Sequence, residues 1–154
     1  MKTAIIYYST HHQNTAKLLT AIAALGDVTL IDSAKTDSAD LTDFDLIGIA
    51  SGIYYSKFGK PVTELARKCL PRGKRVFAVY TCGSKRKGYT DEIRGIVQEK
   101  GCTYAGEYGC LGYDTYGPFK LVGGIAKGRP DENDIKGAVE FYKGIAKGEH
   151  NEEK

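Results

Sequence analysis

Short runs of continuously apolar residues alternate along this chain with longer segments whose apolar side chains recur at helical spacing. The runs are Thr3 to Tyr8, Val28 to Ile31, Leu46 to Ala50, Val76 to Tyr80 and a Gly-broken run from Tyr104 to Leu111. A strand with one wet face would carry a polar residue at every second position. Runs apolar at every position belong to strands covered on both faces, which requires a parallel sheet with helices above and below it.

The intervening segments fit that requirement. Thr15 to Leu25 places Ala16, Leu18, Leu19, Ile22, Ala23 and Leu25 on one helical face, and Gly26 ends the helix. Pro61 to Leu70 predicts a second helix, with Pro61 in the first turn, where its missing N–H costs nothing. Tyr89 to Lys100 predicts a third, closed by Gly101, and Asp131 to Lys147 a fourth, opened by Pro130 and Asp131. Asp32 to Asp45, rich in Asp, Ser and Thr and without a period, is expected to be a solvated connection.

A length of 154 residues suits a single core, so residues 1–148 are expected to form one domain and 149–154 a disordered tail. With 42% hydrophobic and 27% charged residues, and no apolar run near the roughly 18 residues a span needs, no membrane segment is expected. The start MKTAIIYYST lacks a secretory h-region and cleavage site, which points to the cytoplasm. Cys69, Cys82, Cys102 and Cys110 form no C-x-x-C pair and read as reduced thiols filling apolar sites. A net charge of +3, with acids scattered along the chain, does not suggest nucleic acid.

In an open parallel sheet, ligands bind beyond the carboxyl ends of the strands. Three loops there have unusual composition. The first, Ser9-Thr10-His11-His12-Gln13-Asn14-Thr15, leads straight into a helix. Its hydroxyls and amide, with the N–H groups of a helix N-terminus, suit a phosphate dianion, although Ser, Thr and Asn also serve as plain helix caps. Neither a Walker loop nor a G-x-G-x-x-G turn is present. His11 and His12 are neighbours whose side chains point apart, with no Cys or carboxylate at ligand spacing. They read as hydrogen-bond partners for an oxygen-rich ligand, with no metal.

The second loop, Ser51-Gly52-Ile53-Tyr54-Tyr55-Ser56-Lys57-Phe58-Gly59-Lys60, holds apolar and aromatic side chains at a tip, as a cover for a flat ligand would. In the third, Thr81-Cys82-Gly83-Ser84-Lys85-Arg86-Lys87-Gly88-Tyr89, Gly83 allows a ring edge to approach the backbone. The segment from Gly112 to Phe119 follows the last strand on the same side, and its composition fits either a pocket wall or packing over helix ends.

A first strand ending Tyr8-Ser9-Thr10, a turn ending Gln13-Asn14-Thr15, the Ser51 to Tyr55 loop and the Thr81 to Ser84 loop together resemble the three FMN loops of flavodoxins. The likeness extends over nearly the whole chain. It implies a three-layer αβα fold with a five-stranded parallel sheet of order 2-1-3-4-5, and FMN as cofactor. By the same resemblance, Ser9, Thr10, His11, His12, Gln13, Asn14 and Thr15 would hold the phosphate. Ser51, Gly52, Ile53, Tyr54 and Tyr55 would cover one face of the ring, and Thr81, Cys82, Gly83 and Ser84, with Tyr89, would border the other side. The chain departs from the family pattern where His11, His12 and Gln13 replace a short Thr-Gly turn, and it has no Trp to stack on a flavin. Tyr54, Tyr55 and Tyr89 remain as alternatives for that role.

The function implied is a low-potential electron carrier between redox proteins, acting as a monomer with a reductase donor and acceptor enzymes. The alternative is a flavin-dependent NAD(P)H or quinone reductase on the same fold. A receiver-type signalling module is excluded because the acidic cluster it requires is missing. Lys57, Lys60, Lys85, Arg86 and Lys87 point to partners with acidic docking faces.

Overall fold

A computed structural model of the chain describes residues 1–10, 13–113, 126 and 128–148. The elements run β1 (Thr3–Tyr8), α1 (Asn14–Ala23), β2 (Val28–Asp32), β3 (Leu46–Tyr54), β4 (Lys57–Phe58), α2 (Lys60–Cys69), β5 (Arg75–Cys82), α3 (Asp91–Glu99), β6 (Thr103–Leu111) and α4 (Glu132–Ala146). The five long strands pair in parallel in the order β2-β1-β3-β5-β6. Counting only those strands, this is the 2-1-3-4-5 order the resemblance implies. The proposed tail, 149–154, lies outside the described residues.

Each central strand sends alternate side chains to opposite layers, which explains the unbroken apolar runs. From β1, Ile6 joins Ile47, Ile49, Val62, Ala78 and Ile93 beneath α2 and α3, while Ile5 joins Leu18, Ile22, Phe77, Phe141 and Ile145 beneath α1 and α4. All eleven of these apolar side chains other than Phe141 are 0% exposed, so both layers are closed to water. The β2 strand is at the sheet edge and its residues are only partly buried or exposed, in keeping with its weaker apolar run.

Two features depart from the expected pattern. The second loop is not a loop throughout: β3 continues to Tyr54, the chain turns at Tyr55 and Ser56, and β4 returns antiparallel with Ile53 opposite Phe58 and Tyr54 opposite Lys57. Tyr55 and Ser56 have φ of 51° and 68°, the left-handed values a two-residue hairpin turn demands. The sequence hides this hairpin because such turns are usually marked by Asn or Gly, not Tyr-Ser. The second departure is in β6, where a register shift opposite Val76 and Phe77 leaves Ala105 as an extra residue between Tyr104 and Gly106.

Candidate functional site

The first, second and third loops emerge at the carboxyl ends of β1, β3 and β5, where the parallel order reverses across β1 and β3. A pocket there is lined by Asn14, Gly52, Ile53, Thr81, Cys82, Gly83, Gly112 and Tyr113. Six of these eight residues come from the three loops singled out in the sequence. Of the segment from Gly112 to Phe119, Gly112 and Tyr113 line this pocket, since β6 ends at Leu111 beside Cys82. Residues 114–119 of that segment lie outside the described residues.

The first loop divides its tasks. Ser9 Oγ accepts a hydrogen bond from Ala16 N at 3.1 Å, and so caps α1. Thr15 Oγ1 and Thr81 Oγ1 share a buried bond of 2.8 Å that ties the start of α1 to the end of β5. Thr10 is held through its N–H and hydroxyl by the Tyr54 hydroxyl, at 3.3 and 3.0 Å. Gln13 enters the helix in a left-handed conformation, with φ of 55° and no side-chain cap bond. The Ser9 and Thr15 hydroxyls are thus held in place by the protein, and the first turn of α1 adds backbone N–H groups as donors for an anion. Among the described residues, no hydrogen bond occupies the N–H of Asn14 or Thr15 in the first turn of α1. His11 and His12 lie outside the described residues.

Asn14 carries the clearest sign of a missing partner. It is 5% exposed, its Nδ2 donates to Tyr113 O at 2.8 Å, and its Oδ1 is buried without a hydrogen bond. An orphaned buried acceptor costs about 1–3 kcal/mol unless a ligand or water supplies a donor. Across the pocket, a Cβ on Gly112 would stand 2.6 Å from Asn14 Nδ2, so only glycine leaves this cradle open.

The second and third loops are placed unevenly. Ser51 is fully buried and its hydroxyl donates to Gly52 O and accepts from Gly59 N at 2.8 Å, closing the base of the hairpin. Tyr54 packs edge-on against Tyr8 with centroids 5.5 Å apart. Tyr55, by contrast, is 78% exposed at the hairpin tip. Tyr89 is buried, stacks edge-on against Tyr80 at 5.7 Å and donates its hydroxyl to Ser84 O, so it lines a neighbouring cleft rather than this pocket.

All four cysteines are free, Cys82 and Cys110 buried and Cys69 and Cys102 half-buried. Burial, reinforced by Asp134 and Cys82, pushes the Cys110 thiol up to about 12, against the opposing pull of Arg129 and Lys85. That thiol is neutral at physiological pH and no nucleophile. No helix among the described residues is long and apolar enough to cross a membrane.

The flavodoxin domain family model matches residues 5–119. This chain belongs to the flavodoxin family. An uncharacterised protein of Methanocaldococcus jannaschii is 38% identical over 149 residues, covering 96% of this chain and 99% of its own. Oxidised flavodoxin 2 from Bacillus cereus shares the fold with a TM-score of 0.69 at 15% identity, over 95% of this chain and 99% of that one. A flavoprotein in complex with FMN from Lactobacillus acidophilus matches with a TM-score of 0.54 at 18% identity, over 71% of this chain and 92% of that one.

Proposed function

We propose that this protein holds FMN noncovalently at the carboxyl ends of the sheet and carries electrons between redox proteins. The observation that carries the reading is the set of unmet hydrogen bonds at one place. Among the described residues, no acceptor meets the N–H groups of Asn14 and Thr15 at a helix N-terminus, and the buried Asn14 Oδ1 beside them awaits a donor. A phosphate attached to a hydroxylated chain satisfies both needs, with the anion at the positive end of the helix and a hydroxyl on Oδ1. FMN has both groups, and a solved protein of the same fold holds it.

In this reading the isoalloxazine supplies all the redox chemistry, accepting and releasing electrons. The chain binds and positions it. Gly83 and Gly112 keep backbone close to the pocket, and Tyr55 offers an exposed aromatic face as cover. Lys57, Lys60, Lys85, Arg86 and Lys87, all exposed, form a basic rim suited to a partner with an acidic face. The carrier acts as a cytoplasmic monomer.

The test is to titrate the full chain with FMN and with riboflavin. FMN should bind at least a hundredfold more tightly, because charge-assisted bonds to phosphate are the strong ones. Equal affinity would remove phosphate from the site. Following the bound flavin with NAD(P)H alone and with an added flavodoxin reductase then separates the functions: a carrier bleaches rapidly only with the reductase, a reductase-type enzyme with the nucleotide alone.

A further inference from the structure

Asn14 presents an acceptor to the pocket because its donor is taken. A carbonyl can only accept, so the bond from Asn14 Nδ2 to Tyr113 O at 2.8 Å fixes which end of the amide it holds and leaves Oδ1 as the atom without a partner. Without that bond the amide would be free to turn, and a ligand would have to order it on binding. The direction of this acceptor therefore depends on what holds the backbone of Tyr113.

Tyr113 is held from beyond the pocket. Its N–H donates to Arg129 O at 2.8 Å, while the preceding Gly112 N–H donates to Cys82 O at 2.9 Å. Arg129 lies outside every helix and strand, and its side chain fastens it. Nε donates to Asp134 Oδ2 and Nη2 to Asp134 Oδ1, the latter at 2.7 Å, so the guanidinium fork grips both carboxylate oxygens. Asp131 adds a longer ion pair to Nε at 3.5 Å. Asp134 is itself 7% exposed and fixed from two sides: its Oδ2 also accepts from Asp131 N at 2.8 Å, and its carbonyl accepts the Tyr108 hydroxyl of β6 at 2.8 Å. Capping α4 does not require the Arg129 fork, because Asp131 and Asp134 complete the capping box between themselves. What the fork adds is a fixed Arg129 carbonyl, against which the Tyr113 N–H docks.

We infer that Arg129 and Asp134 are positioning residues for the flavin pocket, holding the Asn14 amide through the backbone of Tyr113 so that Oδ1 is already aimed when the ligand's hydroxyl arrives. Support of this kind, from groups that never touch the ligand, is what keeps a contacting side chain in one orientation. The inference rests on the reading of that ligand as FMN.

The experiment is a double-mutant cycle on the full chain with two readouts. Asp134→Asn, and separately Arg129→Gln at a side chain one-third exposed, should each weaken FMN by roughly fivefold, the loss expected when one hydrogen bond is left in poor geometry. In an Asn14→Ala background, the same two changes should alter FMN affinity by less than about twofold, because the residue they act through is gone. The second readout needs no flavin: NMR exchange of the Asn14 side-chain amide protons with water should be roughly fivefold faster in Asp134→Asn and Arg129→Gln than in the unaltered protein. A purely structural role would lower the unfolding midpoint, measured alongside, and leave the Asn14 amide as protected as before. Losses of FMN affinity that simply add to that of Asn14→Ala would overturn the inference, as would unchanged amide exchange in both variants. An unaltered protein that binds no FMN would remove the FMN reading, and the amide exchange alone would then decide the positioning role.

Discussion

Tyr54 and Tyr55, adjacent in the chain, part at the hairpin. Tyr54 spends its ring on Tyr8 and its hydroxyl on Thr10, whereas Tyr55 is 78% exposed in a strained left-handed conformation. If Tyr55 covers the flavin, as proposed, its loss acts on the bound flavin more than on the fold. Tyr55→Ala is expected to raise the fluorescence of bound flavin several-fold with little change in protein stability. Tyr54→Ala should instead lower stability by about 1–3 kcal/mol through lost packing and lost bonds to Thr10. Fluorescence and denaturant unfolding on both variants check the division, and quenching unchanged in Tyr55→Ala would reject it. A second residue-scale constraint lies in the sheet. A Cβ on Gly48 would overlap the Phe77 ring, and Phe77 is itself locked between Phe141 and Tyr142. Gly48→Ala should therefore cost about 1–3 kcal/mol by overpacking, read as a lower denaturant midpoint at unchanged slope.

Among the elements, α4 has the most elaborate start. Asp131 and Asp134 exchange side-chain and backbone bonds as a capping box, and Asp134 also takes two bonds from Arg129. Burial alone would raise the Asp134 carboxyl, but the bonds from Arg129 and Asp131 outweigh it and hold the group below its usual value. A carboxylate with a depressed folded-state pKa contributes stability above the unfolded value of about 3.9, and that stability is lost as pH falls through the folded value. Asp134→Ala should cost about 1–3 kcal/mol near neutrality, and the gap between the two proteins should close as pH drops below about 4. Unfolding curves from pH 7 to pH 2 measure this, and a gap constant with pH would show that the charge is not what matters. The start of α4 was legible from Pro130 and Asp131, as were the ends of α1 and α3 from Gly26 and Gly101. The β4 hairpin was not, because register and turn geometry chose Tyr55 and Ser56 for left-handed positions that their side chains do not advertise. Within the site, sequence placed the three loops at the strand ends correctly but could not show which protein atoms fix the hydroxyls of Ser9, Thr15 and Ser51. Those partners depend on contacts between segments apart in the chain, such as Thr15 with Thr81.

At the scale of the whole molecule, the sheet order gathers the second and third loops on one end, and with them a concentration of positive charge. Lys57, Lys60, Lys85, Arg86 and Lys87 are all exposed there, in a chain whose net charge is only +3. A flavin that gains negative charge on full reduction is stabilised by such surroundings. At a separation of roughly 8 Å and an effective dielectric near 40, each cation is worth about 1 kcal/mol, before salt screens it. Replacing Lys85, Arg86 and Lys87 together by Gln should therefore move the potential for full reduction of the bound flavin to more negative values by several tens of millivolts in low salt. The difference from the unaltered protein should shrink as ionic strength rises, since these side chains are exposed and screening acts on them fully. The same rim predicts electron transfer to an acidic partner that slows with added salt, and a weaker salt dependence in the triple variant. Potentiometric titration and stopped-flow transfer at two ionic strengths measure both. A potential that stays put or moves upward would place these charges too far from the ring to tune it, and would leave the rim a role in docking only.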